Sequence, residues 1–256
     1  MSNHFSTLGF EVRAKDDLLP LIERAHGEGK SFPARHGSYA RWEIGQGVEL
    51  WLGMDEGGAV NTLYPHFSGG ARMTVGLTGR IIEDPDVPLQ GAFHGWADGL
   101  PETGCYPFVF DVPNFDCFDD LQLPTLRSVQ LAAFAHEIAV YRDDEDFARS
   151  TGDLRVASES FIPIGLFANQ GGTEGGTGSR AAFSGHILKY RELINRVHGQ
   201  RFWSLLVQTY GGIVDVVADP QILNGSPVEG GVVHGSFWLS GRILDSRVGI
   251  LTHVSG

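Results

Sequence analysis

The sequence predicts an α+β protein that is predominantly β, with one α/β unit at the N-terminus and a long β-rich region after it. Three observations support this class. A single helical pattern occurs before residue 30, short alternating apolar runs fill the chain after about residue 70, and glycine makes up 35 of 256 residues. Abundant glycine between short apolar runs is typical of strands joined by tight turns.

The N-terminal unit, residues 1–68, reads as β-α-β-β. The first strand is predicted at 4–12, HFSTLGFEV. A helix follows over 14–29, because Leu18, Leu21, Ile22 and Ala25 form one apolar stripe and two glycines end it. Two strands then flank a Gly-Gln-Gly turn, SYARWEIG and GVELWLGM. A short strand over 31–34 and a third strand that closes the unit are compatible with the same pattern.

The β-rich region, residues 69–256, consists almost entirely of predicted strands. Alternation is clear in the first of them, where Val75 and Leu77 point to one face and Thr74 and Thr78 to the other. A glycine-rich stretch at 171–179 is expected to be a loop between strands. The predicted strand segments are ARMTVGLTGRII, LQGAFHGWADG, YPFVFDV, SVQLAAFAHEIAVY, SESFIPIGLFA, RAAFSGHILKY, FWSLLVQTYGGIVDVVADP and GVVHGSFWLSGRIL.

One short strand is repeated in this region: LTGRII at 77–82, FSGHIL at 183–188 and LSGRIL at 239–244, with FAHEIA at 134–139 as a weaker copy. The three closer copies place a large, a small and a large residue on one face. Glycine inside a strand is unfavourable unless it allows a bulge or close packing, as a small barrel requires. We therefore expect an OB-like antiparallel barrel or sandwich, with the alternative of two related units over 69–155 and 156–256.

Composition excludes several functions. The formal charge is −12, with 19 basic and 31 acidic residues, so nucleic-acid binding is unlikely. No apolar run is long enough to span a membrane, and the N-terminus lacks a secretory signal, which indicates a cytoplasmic protein. In that compartment Cys105 and Cys117 are expected to be reduced thiols, with a disulfide as the alternative.

The strand–helix–strand order also suggests a metal site. His4 opens the first predicted strand and Glu49 lies in GVELWLGM. This unit resembles half of a vicinal oxygen chelate (glyoxalase-like) module. The resemblance implies a divalent-metal enzyme with His4 and Glu49 as ligands, a donor pair that suits several divalent metals. The alternative is that both side chains are solvated surface groups.

Equivalent positions of the repeat carry Arg80, His186 and Arg242. If two of these strands lie side by side, a cationic patch would form and bind a carboxylate or phosphate ligand. The alternative is that the three residues mark the solvent-exposed face of half-buried strands. A shared site of His94 and His234, and paired carboxylates at Asp215 and Asp219, are weaker hypotheses of the same kind.

The sequence contains no GxSxG, HExxH or phosphate-loop motif. The β region resembles a group of uncharacterised bacterial proteins, which implies no activity. We therefore expect a non-enzymatic protein that binds a protein partner or a small ligand, without a cofactor and with a homo-oligomer as one compatible assembly. The alternatives are the divalent-metal enzyme and an OB-type nucleic-acid binder.

Overall fold

A computed structural model describes residues 4–82, 84–152, 156–168 and 178–244. It confirms an α+β protein that is predominantly β. Its α-helices are α1 (Leu19–Glu28), α2 (Asp144–Thr151) and α3 (Gly165–Ala168). Its strands are β1 (Lys30–Ala34), β2 (Gly37–Gly45), β3 (Val48–Asp55), β4 (Val60–Phe67), β5 (Met73–Ile81), β6 (Ala92–Ala97), β7 (Pro107–Asp111), β8 (Thr125–Tyr141), β9 (Ser160–Ile162), β10 (Arg180–Ile194), β11 (Arg201–Thr209), β12 (Gly212–Ala218), β13 (Leu223–Asn224) and β14 (Val232–Ile243).

The strand predicted at 4–12 is wrong. A short 3-10 helix, Ser6–Leu8, occupies this segment and ends at Gly9, whose φ of 72° is left-handed. The loop between β10 and β11 takes the hydrogen bonds that a neighbouring strand would have taken. The side-chain amide of Asn195 donates to the carbonyl of Leu8 at 2.8 Å. Tertiary contacts therefore override the apolar alternation of this segment.

The rest of the N-terminal unit follows the prediction. The helix α1 carries Pro20 in its first turn, buries Leu21 and Ala25, and ends at Gly29. The short strand and the closing strand are both present, as β1 and β4. The four strands form one antiparallel sheet in the order β1-β2-β3-β4, and α1 packs on β2 and β3.

The remaining strands close into two rings that share two long strands. The first ring runs β5-β6-β7-β14-β8 and returns to β5; the second runs β10-β11-β12-β8-β14 and returns to β10. Each ring contains one parallel contact, β7 with β14 in the first and β12 with β8 in the second. Neither ring closes without a strand from the other half of the chain.

The two rings have the same connectivity, with β8 and β14 exchanging roles. In each ring three consecutive antiparallel strands come first, and the third of them pairs in parallel with one shared strand. The strands β5 and β10 therefore occupy equivalent places. This equivalence explains why LTGRII and FSGHIL, which lie on these two strands, resemble each other.

Close packing explains two of the three glycines of the repeat, Gly185 and Gly241, but not Gly79, where a Cβ would meet its nearest atom at 3.7 Å. A Cβ at Gly241 would lie 2.4 Å from the ring of Phe110, and one at Gly185 would lie 2.3 Å from the carbonyl oxygen of Gln208. The weaker copy, FAHEIA, does not follow the pattern. His136 is bulged out of the β8–β14 pairing, and so Phe134 and Ile138 belong to different apolar clusters.

The apolar core has two main parts. One fills the barrel rings and includes Phe183 and Phe237. The other lies where the N-terminal sheet covers the outer face of the second ring, and it joins Leu50 to Phe134 and Trp238. Most of the predicted loop at 171–179 lies outside the described residues. Within those residues, no helix has the length and apolar character needed to cross a membrane.

Candidate functional site

Glu49 is a buried, hydrogen-bonded side chain of the N-terminal sheet. Its carboxylate accepts hydrogen bonds from Nε1 of Trp51 at 2.9 Å and from Nη1 of Arg242 at 3.1 Å. Burial raises the pKa of Glu49, while Arg242 and Trp51 oppose that shift. The ion pair with Arg242 ties β3 to β14.

Arg80 and Arg242 lie in separate surroundings. Nη2 of Arg80 donates to the carbonyl oxygens of Phe118 and Leu121, both at 2.6 Å. Arg242, besides its ion pair with Glu49, donates to Oγ of Ser68 at 3.3 Å. Their partners share no residue.

His186 lies between two carboxylates. Its Nε2 is 3.0 Å from Oδ1 of Asp144, and its Nδ1 is 3.0 Å from Oε1 of Glu159. Burial lowers the pKa of His186, but its hydrogen bonds to Glu159 and Asp144 outweigh burial and raise the pKa above its ordinary value. The structure therefore places Arg80, His186 and Arg242 against three different sets of partners and does not assemble them into one patch.

His4 lies on the outer face of the shared strands. Its ring stacks on Trp238, with centroids 4.0 Å apart and an interplanar angle of 6°, and its centroid is 5.2 Å from that of His136. Burial, together with the charges of His136 and Arg180, lowers the pKa of His4 to about 4. The imidazole is therefore neutral near neutral pH.

The predicted metal pair is not brought together. The ring of His4 contacts Trp238 and His136, whereas Glu49 contacts Trp51 and Arg242. In the part of the chain that the structure describes, no group of three or more His, Cys, Asp or Glu side chains is placed to hold a metal. The metal hypothesis for His4 and Glu49 stays a prediction.

A cavity of about 490 Å³ opens on the same face, and His136, whose ring lies next to that of His4, forms part of its wall. We call it the histidine cleft. Its walls come from β8, β10, β13 and β14, and the polar side chains among them are His136, Glu137, Asn224, His234 and Ser236. This volume is within the usual range of small-ligand sites.

The bulge on β8 directs one of these residues into the cleft. Ser236 pairs with Glu137 and Phe237 with Ala135, which leaves His136 without a partner residue in the β8–β14 ladder. Bulges commonly redirect a side chain next to a functional site. Burial and the charge of Arg180 lower the pKa of His136.

His234 forms another part of the wall. Its Nδ1 is buried and has no hydrogen-bond partner within the described residues, and burial lowers the pKa of the ring. A buried polar nitrogen without a partner is unfavourable by about 1–3 kcal/mol. Such a group in a cavity wall is one that a bound ligand would satisfy.

Arg180 supplies the positive charge beside the cleft. It is exposed at the start of β10, pairs across the ladder with Trp238, and lies on the same strand face as Ala182 of the cleft wall. Its guanidinium makes no hydrogen bond or ion pair with any described residue. The cleft therefore has one arginine without an ion pair among the described residues, Arg180, and one carboxylate, Glu137, whose charge opposes the effect of Arg180 on His136.

Asp111 fixes the side chain of Trp238, on which His4 stacks. One carboxylate oxygen accepts from Nε1 of Trp238 at 2.5 Å, and the other accepts from Oγ of Ser179 at 2.7 Å. A residue of β7 therefore fixes the orientation of this indole, which belongs to the neighbouring shared strand β14.

The chain matches no protein-family model, no curated protein and no solved structure at a significant level. The function is therefore argued from the chemistry of the cleft.

Sequence reasoning found His4 but missed its neighbours. His136 lies in FAHEIA, the weaker copy of the repeat, and Arg180 opens the predicted strand RAAFSGHILKY; neither is a site candidate from the sequence. The signal that could have marked His136 is the replacement of the small central residue of the repeat by a histidine. His94 bonds Thr78 at 2.7 Å within the first ring, and His234 lines the histidine cleft; their shared site stays a prediction.

Proposed function

We propose that this protein is a non-enzymatic binding protein that takes a small carboxylate ligand in the histidine cleft. The observation that carries the proposal is the unpaired guanidinium of Arg180 beside the neutral imidazoles of His4 and His136 at an open cavity. Arginine forms bidentate, charge-assisted hydrogen bonds with carboxylates. Asn224 and Ser236 add neutral hydrogen-bonding groups in the cleft wall.

The histidines make this binding depend on pH. In the free protein, burial lowers the pKa values of His4 and His136, because a charged ring there is poorly solvated and lies near Arg180. A bound carboxylate would favour the charged ring and raise those pKa values. Ligand binding would then take up protons, and affinity would rise as pH falls, by at most about tenfold per pH unit for each proton taken up.

We infer further that each ring is an OB-like barrel. This rests on five strands per ring, three of them consecutive and antiparallel, and on the sharing of β8 and β14. The cytoplasmic location stays a prediction. A protein partner or self-association remains compatible with this function, and the metal-enzyme alternative predicts stoichiometric metal that is lost in His4→Ala and Glu49→Ala.

Calorimetric titration tests the proposal. Succinate and glutarate are the probes, and succinamide, which has similar size but no charge, is the matched control ligand. We expect saturable binding of a dicarboxylate, none of succinamide, and tighter binding at pH 6 than at pH 8. Arg180→Gln should weaken binding about tenfold or more, since a charge-assisted hydrogen bond contributes about 1.5–3 kcal/mol.

A matched variant controls for net charge. Arg149 lies on α2 in an exposed ion pair with Asp146. Arg149→Gln removes the same charge at an exposed residue that does not line the cleft, and it should leave binding unchanged. Equal weakening by Arg149→Gln and Arg180→Gln, or binding that does not change with pH, would contradict the assignment.

A further inference from the structure

A second cavity, of about 540 Å³, lies at another edge of the interface between the N-terminal unit and the second ring. We call it the cationic cavity. Its floor is the outer face of β10, β11 and β12, and its roof includes Phe67 and the glycines that follow β4. None of the residues assigned to the histidine cleft lines it.

The floor of the cavity carries the hydroxyl of Ser204. The residue is 7% exposed and lines the cavity. Its side chain makes no hydrogen bond to any residue that the structure describes. The hydroxyl is therefore free to bond a molecule that enters the cavity.

Two cations lie next to this hydroxyl. Arg191 is the cross-strand neighbour of Ser204, and Lys189 is the neighbour of Leu206. Directly opposed residues of an antiparallel pair have Cβ atoms about 4.5–5.5 Å apart. Neither cation forms an ion pair within the described residues. The antiparallel register therefore places a guanidinium, an ammonium and a hydroxyl on one wall.

Two acidic side chains, Asp215 and Glu229, also line the cavity. The carboxylate of Asp215 is occupied by hydrogen bonds within the protein. It accepts from the backbone N–H groups of Gly70 at 3.0 Å and Ala71 at 2.9 Å and from Nε2 of Gln130 at 2.8 Å. Those bonds hold the segment after β4 onto β12. Glu229, by contrast, is exposed, lines the cavity and makes no ion pair among the described residues.

We propose that the cationic cavity binds a small phosphomonoester whose body carries an ammonium or hydroxyl group. The phosphate would be held by Arg191, Lys189 and the hydroxyl of Ser204, a donor set that suits a dianion with three acceptor oxygens. The polar group on the body would be accepted by Glu229. This site is independent of the carboxylate proposed for the histidine cleft.

The test uses calorimetric titration of the full chain with O-phosphoethanolamine, and with inorganic phosphate and ethanolamine as separate arms. We expect saturable binding of O-phosphoethanolamine, weaker binding of inorganic phosphate and none of ethanolamine. Arg191→Gln should weaken binding about tenfold or more, and Ser204→Ala by about threefold to tenfold.

Three controls keep the outcome decisive. Arg149→Gln should bind as the wild type does, and so should His136→Asn, which alters only the histidine cleft. Circular dichroism shows whether Ser204→Ala is folded. If it is not, the affinity measured with Arg191→Gln, a substitution at an exposed residue, decides the test. The proposal is overturned if no phosphorylated probe saturates the protein. It is equally overturned if inorganic phosphate binds as tightly as the ester, or if His136→Asn abolishes phosphate binding.

Discussion

The buried imidazole of His66 should make the protein sensitive to acid. It is fully buried between the N-terminal sheet and the barrels, with Nε2 2.9 Å from Oε1 of Gln130 and Nδ1 2.9 Å from Oγ of Ser240. Because Oε1 of Gln130 only accepts, Nε2 carries the proton and Nδ1 accepts from Ser240. Protonation of Nδ1 would remove that acceptor and place a charge in the interior.

The magnitude follows from the pKa. Burial lowers the pKa of His66 to about 3 in the folded protein, from 6.5 for an exposed histidine. Between these values the unfolded chain binds a proton that the folded chain does not, so the free energy of unfolding falls as pH falls. The loss is about 1.4 kcal/mol per pH unit, or about 4–5 kcal/mol over the whole interval. A domain is typically stable by only 5–15 kcal/mol.

Urea denaturation at a series of pH values measures this effect. His66→Gln should be less stable than the wild type near neutral pH, by about 1–3 kcal/mol, because a buried hydrogen-bond partner is lost. Its stability should then fall less steeply below pH 6.5, so that the two curves converge. His26→Gln, at an exposed position of α1, should give a curve parallel to that of the wild type. Parallel curves for His66→Gln would refute the reasoning.

Three further predictions concern other residues. Gly241→Ala should lower the free energy of unfolding, measured in denaturant, by about 1–3 kcal/mol, because the new Cβ would meet the ring of Phe110. Gly79→Ala, at the equivalent repeat position, should not, because the nearest atom to its Cβ lies at 3.7 Å. Equal effects of the two substitutions would contradict the packing argument. His186 has a raised pKa, so the stability lost in His186→Gln should be larger in mildly acidic than in mildly alkaline buffer, and a melting-temperature difference independent of pH would contradict this. Burial raises the pKa of Cys117 to about 11, so iodoacetamide should modify the exposed Cys105 first at neutral pH, and equal rates by mass spectrometry would contradict this.

Local patterns predicted most of the strands and the helix. The alternation around Val75 and the stripe of α1 depend on neighbours close in sequence, and both are confirmed. Asp219 lies in a turn, where its carboxylate accepts from the backbone N–H of Gln221 at 2.9 Å. Cys105 and Cys117 are both free thiols in the structure.

Long-range pairing could not be predicted from these patterns. The segment 4–12 alternates like a strand, but its hydrogen bonds go to a loop nearly 190 residues later. The sharing of β8 and β14 between two rings depends on registers that no local signal encodes. For the same reason, Arg80, His186 and Arg242 have equivalent places in the repeat and yet different partners in the fold.

The sequence predicted only some of the residues at or beside the cleft. His4 was a candidate because of its position on a predicted strand, and it lies next to His136 of the cleft wall for a different reason, the stacking on Trp238. His136 enters the cleft because of a bulge, and Arg180 matters because it makes no ion pair with any described residue. Both are properties of the assembled sheet.

Histidine titration by NMR tests the proposed binding site at the level of single residues. The pKa values of His4 and His136 would be measured with and without saturating succinate, in the wild type and in Arg180→Gln. We predict that succinate raises both pKa values in the wild type and has a much smaller effect in the variant. If succinate leaves the titration of His4 and His136 unaltered, the histidine cleft is not the carboxylate site.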